Sequence, residues 1–311
     1  MKNKSLFINI SLLITFVIIS AVFLKSDNDI VLKEIRIPKL LLSVIAGFIL
    51  GTAGLTFQFV FRNPLAEPYL LGVSGGTALG AVVGFYYGIN LLHYGIFYII
   101  LLSFVTGMLT IFAVFYLSGF FKEFNFIILL LSGVVLNVFL YTVEYLIIAS
   151  DFNRLSNVLM WLWGRIPIYN IKFLFVLSFV VFFYVLFLIY NHKIMNLLTV
   201  SKEFASVKGY DTERVVLLIL IITTFITSIV VSLCGIIGFV GLIVPHIARL
   251  LLGYDFKDLI FAAGIIGSIF IMISEIISKN IFYPTVIPIG IISALIGAPF
   301  FFILLKRSFT K

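Results

Sequence analysis

"FLFVLSFVVFFYVLFLIY", residues 173–190, decides the fold class. Apart from Ser178 and two tyrosines every position is apolar, and none is charged. Lipid cannot satisfy exposed backbone N–H and C=O groups, so only helices and closed barrels cross a bilayer. A barrel strand alternates lipid-facing and lumen-facing residues, which would require a polar residue at every second position. This run has no such alternation. It is apolar all the way round, as a helix bounded by lipid must be.

The rest of the chain follows the same pattern. Of its 311 residues 62% are hydrophobic and 11% are charged, too few to give a soluble core of this size a polar surface. The expected class is an all-α integral membrane protein. Apolar runs that could span fall at 6–24, 38–61, 70–87, 92–117, 126–149, 172–190, 215–234, 237–252, 259–278 and 287–305, about ten spans in a single transmembrane domain over 1–311. The first run follows a basic start, as in a secretory signal. It is long for a signal core and no A-x-A-like site follows it, so it reads as a retained span.

A formal charge of +8 does not point to nucleic acid, because no basic stripe is interleaved with stacking aromatics. The 21 Lys and Arg residues lie mostly between the apolar runs, where they report topology. An even number of spans puts both termini on one side. Lys2, Lys4, Lys306, Arg307 and Lys311 make that side cytoplasmic, with thirteen basic residues inside and eight outside. Cys234 is the only cysteine, so no disulfide forms within the chain.

Two connections exceed a turn. The outer one, 150–170, contains an amphipathic segment at about 153–163 with two tryptophans; the inner one, 191–215, is rich in both charge signs. Glycines recur at helical spacing: Gly47, Gly51 and Gly54; Gly72, Gly76, Gly80 and Gly84; Gly235, Gly238 and Gly241. In lipid such stripes let helices approach closely.

Chemistry is hard to place in this chain. There is no G-x-x-x-x-G-K-[ST] to cradle a nucleotide and no H-E-x-x-H. His93, His192 and His246 show no ligand spacing, and no metal site is expected. Glu144, Arg249 and Glu275 are the ionisable candidates for burial. All three sit near span ends, whereas proton-driven carriers hold costly charges deep in the bundle. The driving energy is therefore expected from outside the chain. "GFVGLIVPHIARLLLGYDFKD", 238–258, brings Pro245, His246 and Arg249 into one apolar run, and His246 reads as structural, either hydrated near the interface or hydrogen-bonded to backbone freed by Pro245.

Four stretches carry a resemblance: "RNPLAEPYLLGVSGGTALGA" (62–81), "SVKGYDTERV" (206–215), "GFVGLIVPHIARLL" (238–251) and "IPIGIISALIGAPFFFILLKR" (287–307). In order and spacing they resemble the FecCD family of ABC importer permeases for iron chelates, haem and cobalamin, from Ile35 onward. The resemblance implies a homodimer of permeases in the bacterial cytoplasmic membrane. Two ATP-binding subunits would bind inside and an extracytoplasmic binding protein outside. ATP and Mg would be used by those partners, so the chain would be no enzyme and have no cofactor of its own. Substrate would cross by alternating access along the permease interface.

The resemblance also implies roles for particular residues. Arg36 and Lys39 in "EIRIPKL", with Lys279 in "SEIISKN", would dock the binding protein. Glu203, Ala205, Gly209 and Asp211 would lie in the coupling region against the ATPase. The turn Ser74, Gly75, Gly76, Thr77 and the connection Lys122–Asn125, Asn125 in particular, would form the cytoplasmic gate, while the 153–163 helix lines the outer mouth. The paired glycines offer few side chains to plug a pore. An iron(III)–siderophore is the first expected substrate, with haem and cobalamin open. An ABC permease for free metal ions and a proton-coupled secondary carrier are the alternatives.

Overall fold

A computed structural model describes residues 2–25, 28–89, 94–119, 125–150, 155–200 and 212–309. Among them the elements are helical: α1 (Lys2–Leu24), α2 (Asp29–Val31), α3 (Ile37–Phe61), α4 (Val73–Tyr86), α5 (Gly95–Leu117), α6 (Phe126–Ser150), α7 (Leu155–Leu162), α8 (Ile171–Tyr190), α9 (His192–Val200), α10 (Thr212–Cys234), α11 (Val240–Leu252), α12 (Phe256–Asn280) and α13 (Ile289–Phe309). Six helical segments are long and apolar enough to cross a membrane. Four shorter apolar helices, at 10–24, 73–86, 240–252 and 289–303, bring the set to the ten expected from sequence.

Local chemistry explains the entry to α3. Asn28 accepts hydrogen bonds from the N–H groups of Ile30 (2.9 Å) and Val31 (3.3 Å), capping α2. Pro38 has no N–H to give the carbonyl of Glu34, and the preceding turn, Leu32–Arg36, widens into a π turn in which Ile37 N–H reaches the Leu32 carbonyl.

The chain packs as two compact units. The first comprises 1–66, 166–219 and 238–311, and α3 is its most buried span. A side chain at Gly47 would place Cβ 2.2 Å from the Gly267 carbonyl oxygen, at Gly51 2.4 Å from that of Ala263, and at Gly54 2.1 Å from that of Gly241. The α3 number rises as the α12 number falls, so these two helices are antiparallel. Ser268 adds a hydrogen bond to the Val44 carbonyl at 2.8 Å. Close backbone approach of this kind is what drives helix association in lipid. By contrast α8 turns Phe175, Phe179, Phe182 and Phe183 outward, an apolar face that a bilayer covers.

The second unit comprises 67–165 and 220–237. In it α4 lies antiparallel on α5, with Gly76 against Thr110, Gly80 against Thr106 and Ser103, and Gly84 against Ile99. The third glycine stripe is not helical. Gly235 has φ +74° and Phe239 φ +68°, and α11 starts only at Val240. The expected span 237–252 therefore loses its first residues to an irregular link, and Gly241 alone of Gly235, Gly238 and Gly241 lies on a helix.

Candidate docking and coupling sites

The three basic residues expected to dock a partner come together in the first unit. Arg36, at the π turn, donates from Nη1 to the Phe23 carbonyl at the end of α1 (3.2 Å). Lys39, one turn into α3, lies 3.1 Å from Glu275 Oε1, and Lys279 lies 2.9 Å from the same oxygen. Lys279 Nζ also sits 4.9 Å from the centre of the Phe23 ring, a cation–π contact. One buried carboxylate thus collects two ammonium groups from helices far apart in sequence. Glu275 was not among the expected docking residues. Its i, i+4 relation to Lys279 is visible in the sequence, but its pairing with Lys39 across 236 positions is not.

A second polar cluster joins the other end of α3 to α11. Pro245 lies inside α11 and cannot donate to the Gly241 carbonyl, four residues earlier. Gln58 takes that place: its Nε2 donates to the Gly241 oxygen at 3.0 Å, with Leu242 O at 3.4 Å. Gln58 Oε1 in turn accepts from Arg249 Nη2. Of the two expectations for His246, hydration or a hydrogen bond to the freed backbone, the second is corrected, since the donor to Gly241 comes from α3. The His246 ring stands edge-on to Phe300 with centroids 6.2 Å apart.

Beyond α3, Arg62 adopts φ +49° and donates from Nε to the Leu198 carbonyl of α9. Asn196 of α9 accepts from Phe256 N–H at 2.9 Å and donates to Asp255 Oδ2 at 3.3 Å, sharing the α12 cap with Asp255, whose Oδ1 accepts from Lys257 N–H at 2.9 Å. Helix α9 is thereby tied to the end of α3 and the start of α12. Glu203, Ala205, Gly209 and Asp211, which follow α9, lie outside the described residues.

The residues expected at a gate lie in the second unit. Ser74, Gly75, Gly76 and Thr77 are not a turn but the buried first turn of α4. Gly72 precedes them at φ +88°, a conformation glycine takes without strain. Tyr141 donates to Ser74 Oγ at 2.9 Å. Asn137 accepts from Gly75 N–H at 3.1 Å and donates to the Tyr69 carbonyl at 2.8 Å. Asn137 and Tyr141 of α6 therefore fix this turn, although nothing in the sequence marked them. Thr77 bonds back to the Val73 carbonyl at 2.7 Å. Asn125 caps α6 through Ile127 N–H (2.9 Å) and Ile128 N–H (3.3 Å). Residues 122–124 lie outside the described set, and of the outer 153–163 segment the helix Leu155–Leu162 is described.

Comparisons with known proteins agree with this architecture. The chain is 35% identical over 280 residues to the ABC transporter permease protein YvrB of Bacillus subtilis, covering 89% of this chain and 79% of YvrB. It is 32% identical to the cobalamin import system permease protein BtuC of Halobacterium salinarum (89% and 74% covered). It is 30% identical to the molybdate import system permease protein MolB of Haemophilus influenzae (89% and 81%). A solved ABC transporter described as metal-chelate type, in an inward-facing conformation, superposes with a TM-score of 0.87 at 24% identity, over 96% of this chain and 99% of that one. The model of the FecCD transport family matches residues 5–307. With nearly the whole length matched, and relatives at and above 30% identity on the same fold, the chain belongs to the FecCD transport family.

Proposed function

We propose that this chain is the permease subunit of an ABC importer that moves a metal chelate inward across the cytoplasmic membrane, driven by separate ATPase subunits. One observation carries the reading. The antiparallel pair α3 and α12 holds a basic cluster at one end and, at the other, the residues that anchor α9. Each helix has 25 residues, about 37 Å at 1.5 Å per residue, enough to cross a bilayer. The Arg36 end faces an acidic binding protein outside. The Arg62 end, through α9, faces the ATPase inside. A second copy of the permease completes the path.

The substrate class rests on the family and on relatives such as the cobalamin permease; the molybdate permease at similar identity makes oxyanion the competing class. An iron(III)–siderophore is the first chelate to test. Reversing Arg36 and Lys39 to Glu should weaken docking of the binding protein at least tenfold and leave ATPase assembly intact. Unchanged docking would remove the assignment.

A proton-coupled carrier is the second reading, favoured by one residue. Glu144 on α6 is 4% exposed and its Oε1 has no hydrogen-bond partner among the described residues. Glu144→Gln should leave ATP-driven uptake in place; loss of uptake with normal assembly would favour the carrier.

A further inference from the structure

We propose that Glu275 is the positioning residue of the docking cluster, a buried carboxylate that fixes two lysines as a preformed receptor for an acidic group on the binding protein. This rests on the docking reading above and adds a residue and a mechanism to it. The geometry is asymmetric in depth. The Glu275 side chain is 3% exposed, whereas those of Lys39 and Lys279 are 18% and 34% exposed. The carboxylate therefore lies beneath and the ammonium groups stand above it, toward solvent.

Both ammonium groups share one oxygen, so their nitrogens lie within about 6 Å of each other. Without Glu275 two like charges at that spacing repel, and their long flexible stems let them part. With it they are held for a partner whose carboxylate bridges them. Phe23 restrains the same group from the side, its ring under Lys279 and its carbonyl on Arg36. The four charged residues leave a net +2 on the face, so long-range attraction to an acidic partner survives the internal pairing. A partner meeting pre-ordered cations loses less side-chain freedom on docking.

Simple electrostatics and positioning predict opposite signs for Glu275→Gln. Neutralising Glu275 makes the face more positive, so attraction alone predicts faster and tighter docking. Positioning predicts a complex that forms as fast or faster but dissociates about tenfold sooner, a net loss of affinity. The experiment uses the full permease with its ATPase subunits in nanodiscs, and the substrate-free binding protein that stimulates its ATP hydrolysis as the probe. Association and dissociation rates are measured at two salt concentrations for wild type, Glu275→Gln, Glu275→Asp and Lys39→Glu with Lys279→Glu.

The expected result is faster dissociation for Glu275→Gln, and a smaller change for Glu275→Asp, which keeps the charge. In parallel, acetylation of Lys39 and Lys279 by an amine-reactive ester, without binding protein, should run several-fold faster in Glu275→Gln, since the amines are no longer tied down. Docking as tight as wild type or tighter in Glu275→Gln, while the lysine reversals weaken it, overturns the positioning role and leaves the docking site standing. Docking unchanged by the lysine reversals removes the docking site and the positioning role together. Should Glu275→Gln not assemble, Glu275→Asp decides alone: dissociation as slow as wild type, with lysine labelling raised, contradicts the proposal.

Discussion

Replacing Gln58 with Leu isolates the device that holds a proline inside α11. Gln58 is 4% exposed, and its amide does two jobs. Nε2 donates to the Gly241 carbonyl that Pro245 leaves without an N–H, and Oε1 accepts from Arg249. Leucine has a similar size and can do neither. A buried carbonyl left unsatisfied costs about 1–3 kcal/mol, and a hydrogen bond to a charged group is worth about 1.5–3 kcal/mol, so the loss should total about 2.5–6 kcal/mol. SDS-titration unfolding of the purified permease reads this as a shifted midpoint. Two companions separate the terms. Gln58→Glu keeps an acceptor for Arg249 but loses the donor, and should lose only the first part. Pro245→Ala in the Leu background restores an N–H for Gly241, and should recover about 1–3 kcal/mol. A Gln58→Leu protein that unfolds like wild type, or a double variant with no recovery, refutes the reasoning.

Gly47→Leu should abolish accumulation of folded permease, because even its Cβ would lie 2.2 Å from the Gly267 carbonyl and backbone cannot yield cheaply; monodisperse protein in detergent at wild-type yield would contradict this. Glu67, in the connection after α3, has its carboxyl pushed by burial from the ordinary carboxylate range to about 7. A folded-state value above the unfolded one means stability falls as pH rises from about 4.5 through 7, the window in which the folded chain must release a proton it would rather keep. Melting from pH 5 to 8 should show that fall, and Glu67→Gln should flatten it; parallel slopes would sink the idea. Bulky or charged substitutions at Ala205 or Gly209 should leave ATP hydrolysis running while chelate uptake is lost, and full uptake would remove the coupling role.

Sequence periodicity was enough to find the spans, because a run such as 173–190 has no charge and no polar alternation and admits no other element. It was less able to place their ends. Gly235, Gly238 and Gly241 have helical spacing, yet the first two lie in an irregular link, since glycine accepts helical and left-handed backbone alike. Ser74–Thr77, a turn by the family resemblance, is the first turn of α4. Pro245 announced a carbonyl without a donor, but the donor, Gln58, is 183 residues away in sequence, so only His246 and Arg249 were polar neighbours in view. The family's pattern singled out Arg36, Lys39 and Lys279, and the structure brings them together around Phe23 and Glu275. Glu275, which joins two of them, was visible only as an acidic residue near a span end. The polar contacts of Asn137 and Tyr141 with the start of α4 depend on how α6 crosses α4, which no local pattern encodes.

The most direct test of an ATP-driven importer is uptake by proteoliposomes holding this permease and its ATPase subunits, with the binding protein outside and a labelled iron(III)–siderophore as first substrate. Uptake should require ATP inside the vesicles together with the binding protein outside, and should persist when the pH gradient is collapsed. Uptake that follows an imposed pH gradient without ATP, or that proceeds without the binding protein, would contradict it.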